Sequence, residues 1–335
     1  MMQISPETQL FIREHSSDDV RVLALQAKKY PDIDMPTAIT QIAGRKVAAE
    51  KIPSWWEIEK IWYPKHLSLE QCSSEITARY KARLLQGDSL TDLTGGFGID
   101  CSFLATGFKS ATYVERQEEL CEIAAHNFPV LNLNHINIKN EDGVTYLQAM
   151  SPVDCLFLDP ARRNEHGGKT VAISDCEPNV AELEELLLQK ANRVMIKLSP
   201  MLDLSLALKE LKQTQEVHIL SVNNECKELL ILLGQTSPTE ISIHCVNLST
   251  KGTQEEQHFV FTREQEQCSE CTYTDSLETY LYEPNASLLK AGAFRSIAAA
   301  YPVRKLHPNS HLYTSDTFIE NFPGRIFRIV NQCSF

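Results

Sequence analysis

No apolar run in this chain reaches the roughly 18 residues that a membrane-spanning helix needs, and Met1 to Arg13 lacks a basic region followed by an apolar one. Neither a bilayer-spanning helix nor a cleaved secretory leader is expected, and the chain is expected in the cytoplasm. Internal repeats, low-complexity tracts and a regular cysteine framework are also missing. The 10 cysteines are irregularly spaced. Cys101, Cys121, Cys155 and Cys245 sit inside apolar runs, as reduced, buried thiols do. Positive charge is scarce: 32 Lys plus Arg face 44 Asp plus Glu, a net charge of −12. An acidic chain repels a phosphate backbone at long range, so any contact with nucleic acid has to come from a local patch.

What is present is ordinary for a globular protein. With 43% hydrophobic and 23% charged residues the chain is neither collagen-like nor disordered. Its 335 residues exceed what one core usually serves, so two or three domains are expected. Charge is uneven along it. Residues 91–234 hold 12 basic against 21 acidic side chains, whereas 284–335 hold 6 against 2 and form the only clearly basic segment.

Residues 1–85 read as an N-terminal helical domain. Val22, Leu23 and Leu25, then Ile39, Ile42, Ala43 and Val47, fall at helical spacing, and Pro31, Pro36, Pro53 and Pro64 divide the region into short helices. A final helix over 68–85 opens on Ser68 and Gln71 at capping-box spacing, with Gly87 after its end. From 89 the pattern changes to short apolar runs alternating with amphipathic stretches, the mark of a parallel sheet with crossover helices. Strands are expected at 89–94, 111–115, 136–141, 153–158, 193–198, 217–222 and 228–233, with helices at 98–107, 117–128, 177–190 and 203–213. Only Asn223 to Lys227 join the last two strands, so those two should form an antiparallel hairpin at the end of the sheet. The fold class that follows is α/β: a Rossmann-like sheet of seven strands, six parallel and one antiparallel, over 86–234. The alternating runs at 240–246 and 258–262 suggest a small α+β module over 235–283. A helix at 286–300 and a strand at 325–330 suggest another over 284–335, and so little chain follows that strand that the natural module is expected to continue.

The first expected strand runs into Asp92-Leu93-Thr94-Gly95-Gly96-Phe97-Gly98. Glycines at a strand-to-helix turn permit positive φ and let a ligand approach the backbone. A dinucleotide fingerprint requires Gly-x-Gly-x-x-Gly, and counting from Gly96 its third glycine position holds Cys101, which disfavours NAD. Glu115 ends the second strand at about the spacing where an acid meets a ribose in nucleotide-binding sheets, and a carboxylate can accept from both hydroxyls. Its alternative is a solvated strand-end charge. The fourth strand runs into Asp159-Pro160-Ala161-Arg162-Arg163 at the edge where open sheets bind ligands. Arg162 and Arg163 suit a phosphate, a carboxylate or the face of a base, or else a structural ion pair. Lys197, at the end of the fifth strand, either touches substrate or pairs with a carboxylate. Cys268 and Cys271 form a lone Cys-x-x-Cys without the second pair or histidines of a zinc finger, and no metal site is expected. Trp55, Trp56, Trp62 and Tyr63 read as an interdomain packing cluster, with a base-stacking surface as the alternative.

The glycine turn resembles the first motif of class I S-adenosylmethionine-dependent methyltransferases, acid-x-Gly-x-Gly-x-Gly, with Asp92 as the acid and Thr94 in the first glycine position. That resemblance implies that Asp92 faces the methionine amino group, that Gly96 and Gly98 admit the cofactor, and that Asp142 accepts from the adenine amino group, with Glu141 the competing residue. Methyltransferases acting on a base nitrogen carry Asp or Asn, Pro, Pro and an aromatic residue where this chain has Asp159, Pro160, Ala161 and Arg162, so base-amine methylation is in doubt. The lead-in from Leu69 to Glu75 and the stretch from Leu158 to Arg163 make nearly the whole chain similar to a bacterial methyltransferase family with a THUMP-like domain. The resemblance implies a ferredoxin-like module over 235–283 and a THUMP-like one over 284–335, S-adenosyl-L-methionine as cofactor, and Asp159, Pro160 and Arg162 as catalytic residues. It further implies an RNA substrate held through the basic C-terminal segment with Arg162 and Arg163. The alternatives are a methyltransferase for a small molecule or protein, and an RNA-binding or assembly protein that keeps the pocket without catalysis.

Overall fold

The computed structural model describes residues 4–162, 172–236, 238–250 and 256–332, apart from the side chains of 66–68 and 162. No helix among them is long and apolar enough to cross a membrane. The chain divides into two compact bodies, Met1–Leu158 with Gln189–Ala191, and Asp159–Leu188 with Asn192–Phe335.

In the first body, α1 (Pro6–Glu14), α2 (Val20–Leu25), α3 (Met35–Lys51) and α4 (Pro53–Trp56) form the N-terminal helices. Prolines start three of them, where no backbone donor is lost. Ser5, Asp19 and Asp34 cap α1, α2 and α3 by accepting from Thr8, Arg21 and Thr37 N–H groups. The helix expected over 68–85 is two helices, α5 (His66–Gln71) and α6 (Glu75–Ala82), because Cys72 and Ser74 are extended between them. The strands β1 (Ser89–Asp92), β2 (Ser110–Glu115), β3 (Ile136–Asn140) and β4 (Val153–Leu158) follow, with α7 (Ile99–Ala105), α8 (Glu118–Val130) and α9 (Gly143–Ala149) between them. Helix α9 is absent from the sequence expectation. Strand β1 pairs in parallel with β2 and β4, and β2 with β3, so the chain leaves all four strands at one edge.

Beneath α7 and α8, the side chains of Ala48, Ile52, Trp55, Tyr63, Leu69 and Ala78 share one core with Phe97, Ile99 and Ile123. The expected boundary at residue 85 therefore carries no break in packing. Trp55 meets Phe97 edge-on at 5.2 Å, and Trp62 lies flat on His126 at 3.7 Å. Of the four expected cluster residues, Trp55 and Tyr63 are buried in this core, Trp62 packs against it, and Trp56 is exposed.

The second body starts with the short antiparallel pair β5 (Ala161–Arg162) and β6 (Cys176–Glu177), then α10 (Val180–Lys190). Next come β7 (Ala191–Leu198), α11 (Leu204–Glu210), β8 (Thr214–Val222), β9 (Glu225–Gly234), β10 (Ser242–Leu248), β11 (Glu256–Thr262) and α12 (Arg263–Cys268). The cores of β7 and β9, Val194 to Ile196 and Leu229 to Leu233, are buried at every position, which happens when both faces of a sheet are covered. Strands β8 and β9 form the expected antiparallel hairpin. Its turn residues Asn223 and Asn224 have φ of 50° and 66°, the left-handed pair that a two-residue hairpin turn needs and that asparagine tolerates.

The main sheet has nine strands, in the order β11-β10-β8-β9-β7-β4-β1-β2-β3, where seven were expected. The two extra strands come from the segment assigned to a separate ferredoxin-like module over 235–283. Strand β10 pairs in parallel with β8 through seven residues and β11 closes antiparallel on β10, so backbone hydrogen bonding draws this segment into the sheet. The hairpin consequently lies inside the sheet, with β9 between β7 and β8.

A second sheet, β13-β14-β12-β15, is built from β12 (Tyr280–Pro284), β13 (Arg304–Lys305), β14 (Tyr313–Ser315) and β15 (Gly324–Arg328). The single helix expected over 286–300 is two, α13 (Ala286–Ala291) and α14 (Phe294–Ala300), broken where Gly292 takes φ of 77°. Glu266 accepts from the Phe294, Arg295 and Ser296 N–H groups and so satisfies the start of α14.

Candidate functional site

Three carboxylates end three consecutive parallel strands of the first body: Asp92 at the end of β1, Glu115 at the end of β2, and Asp142 two residues beyond β3. Between β1 and α7 the chain turns through the glycines. Gly96 has φ of 54° and Gly98, which starts α7, has φ of 87°. A Cβ on Gly95 would sit 2.3 Å from the Tyr113 ring, and one on Gly98 would sit 3.1 Å from Phe128, so the turn is pressed onto β2 and α8. At Gly96 a Cβ would meet nothing nearer than 3.8 Å. That open side is what a ligand lying on the turn requires.

The turn is held from below. Asp92, buried at 1% exposure, accepts through Oδ1 from the Thr94 N–H at 2.9 Å. Tyr113 donates its hydroxyl to Gly96 O at 2.5 Å. Burial pushes the Tyr113 phenol well up, and the charge of Glu115 adds to that, so the donating proton stays in place. Glu115, 8% exposed, bridges two elements: Oε2 accepts from the Gly96 N–H at 2.9 Å and Oε1 from the Gln117 N–H at 2.8 Å. A carboxylate offers about four acceptor positions, so these two bonds leave capacity for a diol. The reading of Glu115 as a merely solvated charge does not hold, because it is buried and fixes the turn.

Asp142 is exposed and caps α9, its Oδ1 accepting from the Val144 and Thr145 N–H groups at 3.0 Å each. The neighbouring Glu141 is tied by its N–H to Glu115 O at 3.1 Å. Gly143 lets this loop approach: a Cβ there would lie 2.2 Å from Leu93 O. The ends of β1, β2 and β3 are thus brought together.

One part of the support has no counterpart in the sequence reading. Asp100, in the first turn of α7, pairs with Lys81 of α6 at 3.0 Å, and Ser73 Oγ donates to Asp100 Oδ2 at 2.7 Å. Lys81 also donates to Ser73 Oγ at 2.9 Å and is fully buried. Asp100 was visible as an acid two residues after Gly98. Lys81 lies in a helix separated from it in sequence, and nothing in local spacing links the two.

The charge of this region decides what it can take. The three carboxylates accept hydrogen bonds and repel phosphate, and the donor that would otherwise greet a phosphate, the Gly96 N–H, is occupied by Glu115. The chemistry fits a ligand rich in donors: an ammonium, a ribose diol and an adenine amine. Cys101, in the place of a third fingerprint glycine, is a fully buried thiol raised by burial and by Asp92 and Asp100.

In the second body Asp159 forms an ion pair with Lys197 of β7, which is 8% exposed. Of the two roles expected for Lys197, pairing with a carboxylate is the one observed. Pro160 is buried, and Ala161 pairs with Glu177 across the β5–β6 ladder. The Arg162 side chain and Arg163 lie outside the described residues. Most basic groups of the C-terminal segment are engaged. Arg304 pairs with Glu278 and Arg325 with Glu283, while Lys290 donates to Leu202 O and Arg295 to Gln267 O. Lys305 is buried, donates to Pro308 O, and has its ammonium pushed down by desolvation.

A family model described as a ferredoxin-like domain matches residues 280–323. The match takes in β12, β13 and β14 of the second sheet and falls mostly in the segment expected to be THUMP-like, overlapping 235–283 only at 280–283. No curated protein matches the chain. Two partial overlaps among solved structures, an rRNA methylase from Streptococcus thermophilus and SMU.1697c, a candidate methyltransferase from Streptococcus mutans in complex with SAH, are each 14% identical over 48% of this chain at a TM-score of 0.34. They cover 93% and 96% of their own chains, and likenesses this slight say nothing of function. A candidate methyltransferase from Porphyromonas gingivalis W83 is different in kind: it is 35% identical, with a TM-score of 0.85 over 99% of this chain and 84% of its own. The chain belongs to the family of that Porphyromonas gingivalis protein.

Proposed function

We propose that the chain is an S-adenosylmethionine-dependent methyltransferase whose substrate is RNA. The carrying observation is the Glu115 carboxylate, which is buried, bound to the Gly96 N–H beside the open face of the glycine turn, and flanked by Asp92 and Asp142. In this reading Asp92 accepts from the methionine ammonium, Glu115 from the ribose hydroxyls and Asp142 from the adenine amine, while Thr94, Gly96 and Gly98 shape the seat. S-adenosylmethionine, when bound, supplies a methyl group on a positively charged sulfur. Asp159, positioned by Lys197, accepts a hydrogen bond from the methyl acceptor together with the Pro160 carbonyl, and Arg162 meets its phosphate. The chain's own contribution is proximity and orientation rather than covalent chemistry.

Support for RNA rests on the family resemblance, including its THUMP-like label, and on the charge of 284–335. The pairing of Arg304 and Arg325 with Glu278 and Glu283 favours a second reading, a small-molecule or protein acceptor, because those charges are already neutralised. Calorimetric titration of S-adenosylmethionine into the chain and its Glu115→Ala variant tests the cofactor seat. Micromolar binding weakened about 10- to 100-fold in the variant is expected, from loss of one or two hydrogen bonds to a charged group; equal binding by both proteins overturns it. RNA affinity that falls steeply with salt supports the first reading, and no RNA affinity selects the second.

A further inference from the structure

We propose that the second body carries a divalent transition-metal site formed by Glu216, His218 and His244. Strand β8 places Glu216 and His218 on one face because side chains alternate along a strand. Strand β10 runs beside it in parallel with His244 directly opposite His218. One ligand atom from each of the three lies within 4.8 Å of the others, and among the described residues this is the one such group. Glu216 Oε2 is 3.3 Å from His218 Nε2. Two ligands on a tetrahedral ion with bonds of about 2.0–2.1 Å stand about that far apart.

The surroundings orient the set. Arg193 of β7 holds Glu216 Oε1 at 3.0 Å, which turns Oε2 toward His218. His258 of β11 lies diagonally across from His244, its Nε2 3.1 Å from His244 Nδ1. In the loaded site His244 Nδ1–H would donate to His258 Nε2, leaving the lone pair of His244 Nε2 for the ion, as outer partners of metal-bound histidines do. The His244 imidazole is pushed down to about 4, first by burial and then by His218 and His258, so at neutral pH it offers a lone pair. Glu216 is pulled down to about 2, chiefly by the hydrogen bond from His218, and is ionised. Two imidazoles and one carboxylate suit zinc, copper, nickel or cobalt rather than magnesium or calcium. His218 and His244 now stack at 4.3 Å with an 18° tilt, so loading turns the rings until their lone pairs converge.

A plain hydrogen-bonded polar stripe would bind no ion, and cobalt titration separates the two. Chelator-treated full-length protein is titrated with Co2+ and read by visible absorption. One equivalent is expected to bind with d–d bands and no thiolate charge-transfer band. Binding should fall at least about 100-fold in His244→Gln, about 10-fold in His258→Ala, and not at all in a Cys268→Ser, Cys271→Ser double variant. His258 is exposed, so its variant keeps the test valid should His244→Gln fail to fold. Absence of binding, binding that survives the histidine changes, or binding lost with the cysteines overturns the site.

Discussion

At the scale of single residues, the proposed roles of Glu115 and Asp159 predict opposite failures. Glu115 holds the glycine turn and the cofactor seat, so its loss should appear in cofactor affinity. Asp159 is paired with Lys197 and is proposed to act on the methyl acceptor rather than on the cofactor. Asp159→Ala should therefore lower turnover at least 100-fold, the size typical of a positioned hydrogen-bonding or proton-transfer group, while leaving S-adenosylmethionine affinity within about twofold. Single-turnover methyl transfer and calorimetry on the same preparation measure both. A variant with full turnover removes Asp159 from the reaction, and one that loses cofactor affinity makes it part of the seat. Lys197→Met complements this, since it keeps the carboxylate and frees it from its anchor; a milder loss of turnover than in Asp159→Ala is expected.

At the scale of elements, α6 and α7 are joined by a buried ion pair, and removing one partner strands the other. Lys81→Ala takes the Lys81 ammonium away from Asp100, which is only 8% exposed. The expected cost is about 3–5 kcal/mol, read as a fall in urea midpoint, whereas replacing the trio Ser73, Lys81 and Asp100 together by apolar residues should cost far less. A single variant as stable as the parent would mean that water reaches the pair. The same elements divide what was legible in the sequence from what was not. Strands β1 to β4, β7, β8 and β9 could be placed because each is a short apolar run bounded by turn residues, and the asparagine turn between β8 and β9 set that hairpin. The acids at the ends of β1 and β2 were legible because their spacing from the glycine turn is local. Strands β10 and β11 were legible as strands, but membership in the nine-stranded sheet depends on pairing partners chosen in three dimensions. Lys81 with Asp100, and Glu216 with His218, His244 and His258, were likewise brought together by packing and strand register across distant sequence positions. The ferredoxin-like label came with the family resemblance and was laid on 235–283, whereas the family model matches 280–323, because the two alternating runs do not reveal whether they found a small sheet or extend a large one.

At the scale of the whole molecule, the histidine face should govern how stability depends on acid. Facing His244 are Glu216 and His218 on β8, His258 on β11, and Arg193 of β7 through Glu216. His244 has an ordinary value of 6.5 and a folded value of about 4. The unfolded chain therefore binds the proton first, and the stabilisation, full above pH 6.5, drains away as pH falls from 6.5 toward 4. Glu216 moves from 4.5 to about 2, so its contribution is full above 4.5 and is lost between 4.5 and 2. The two windows adjoin, and both run in the same direction. With a discount for partial exposure, the His244 share between pH 7 and pH 4.5 is on the order of 2 kcal/mol. Urea unfolding in the presence of a chelator measures it: the parent should lose that much more stability over this interval than His244→Phe, which cannot titrate. Added Zn2+ should then raise the parent's midpoint at pH 7 and have little effect at pH 4.5, because a metal needs the imidazoles neutral and competes with protons for them. Equal pH dependence in the parent and in His244→Phe would mean that His244 is already open to water and contributes nothing to the acid sensitivity of the fold.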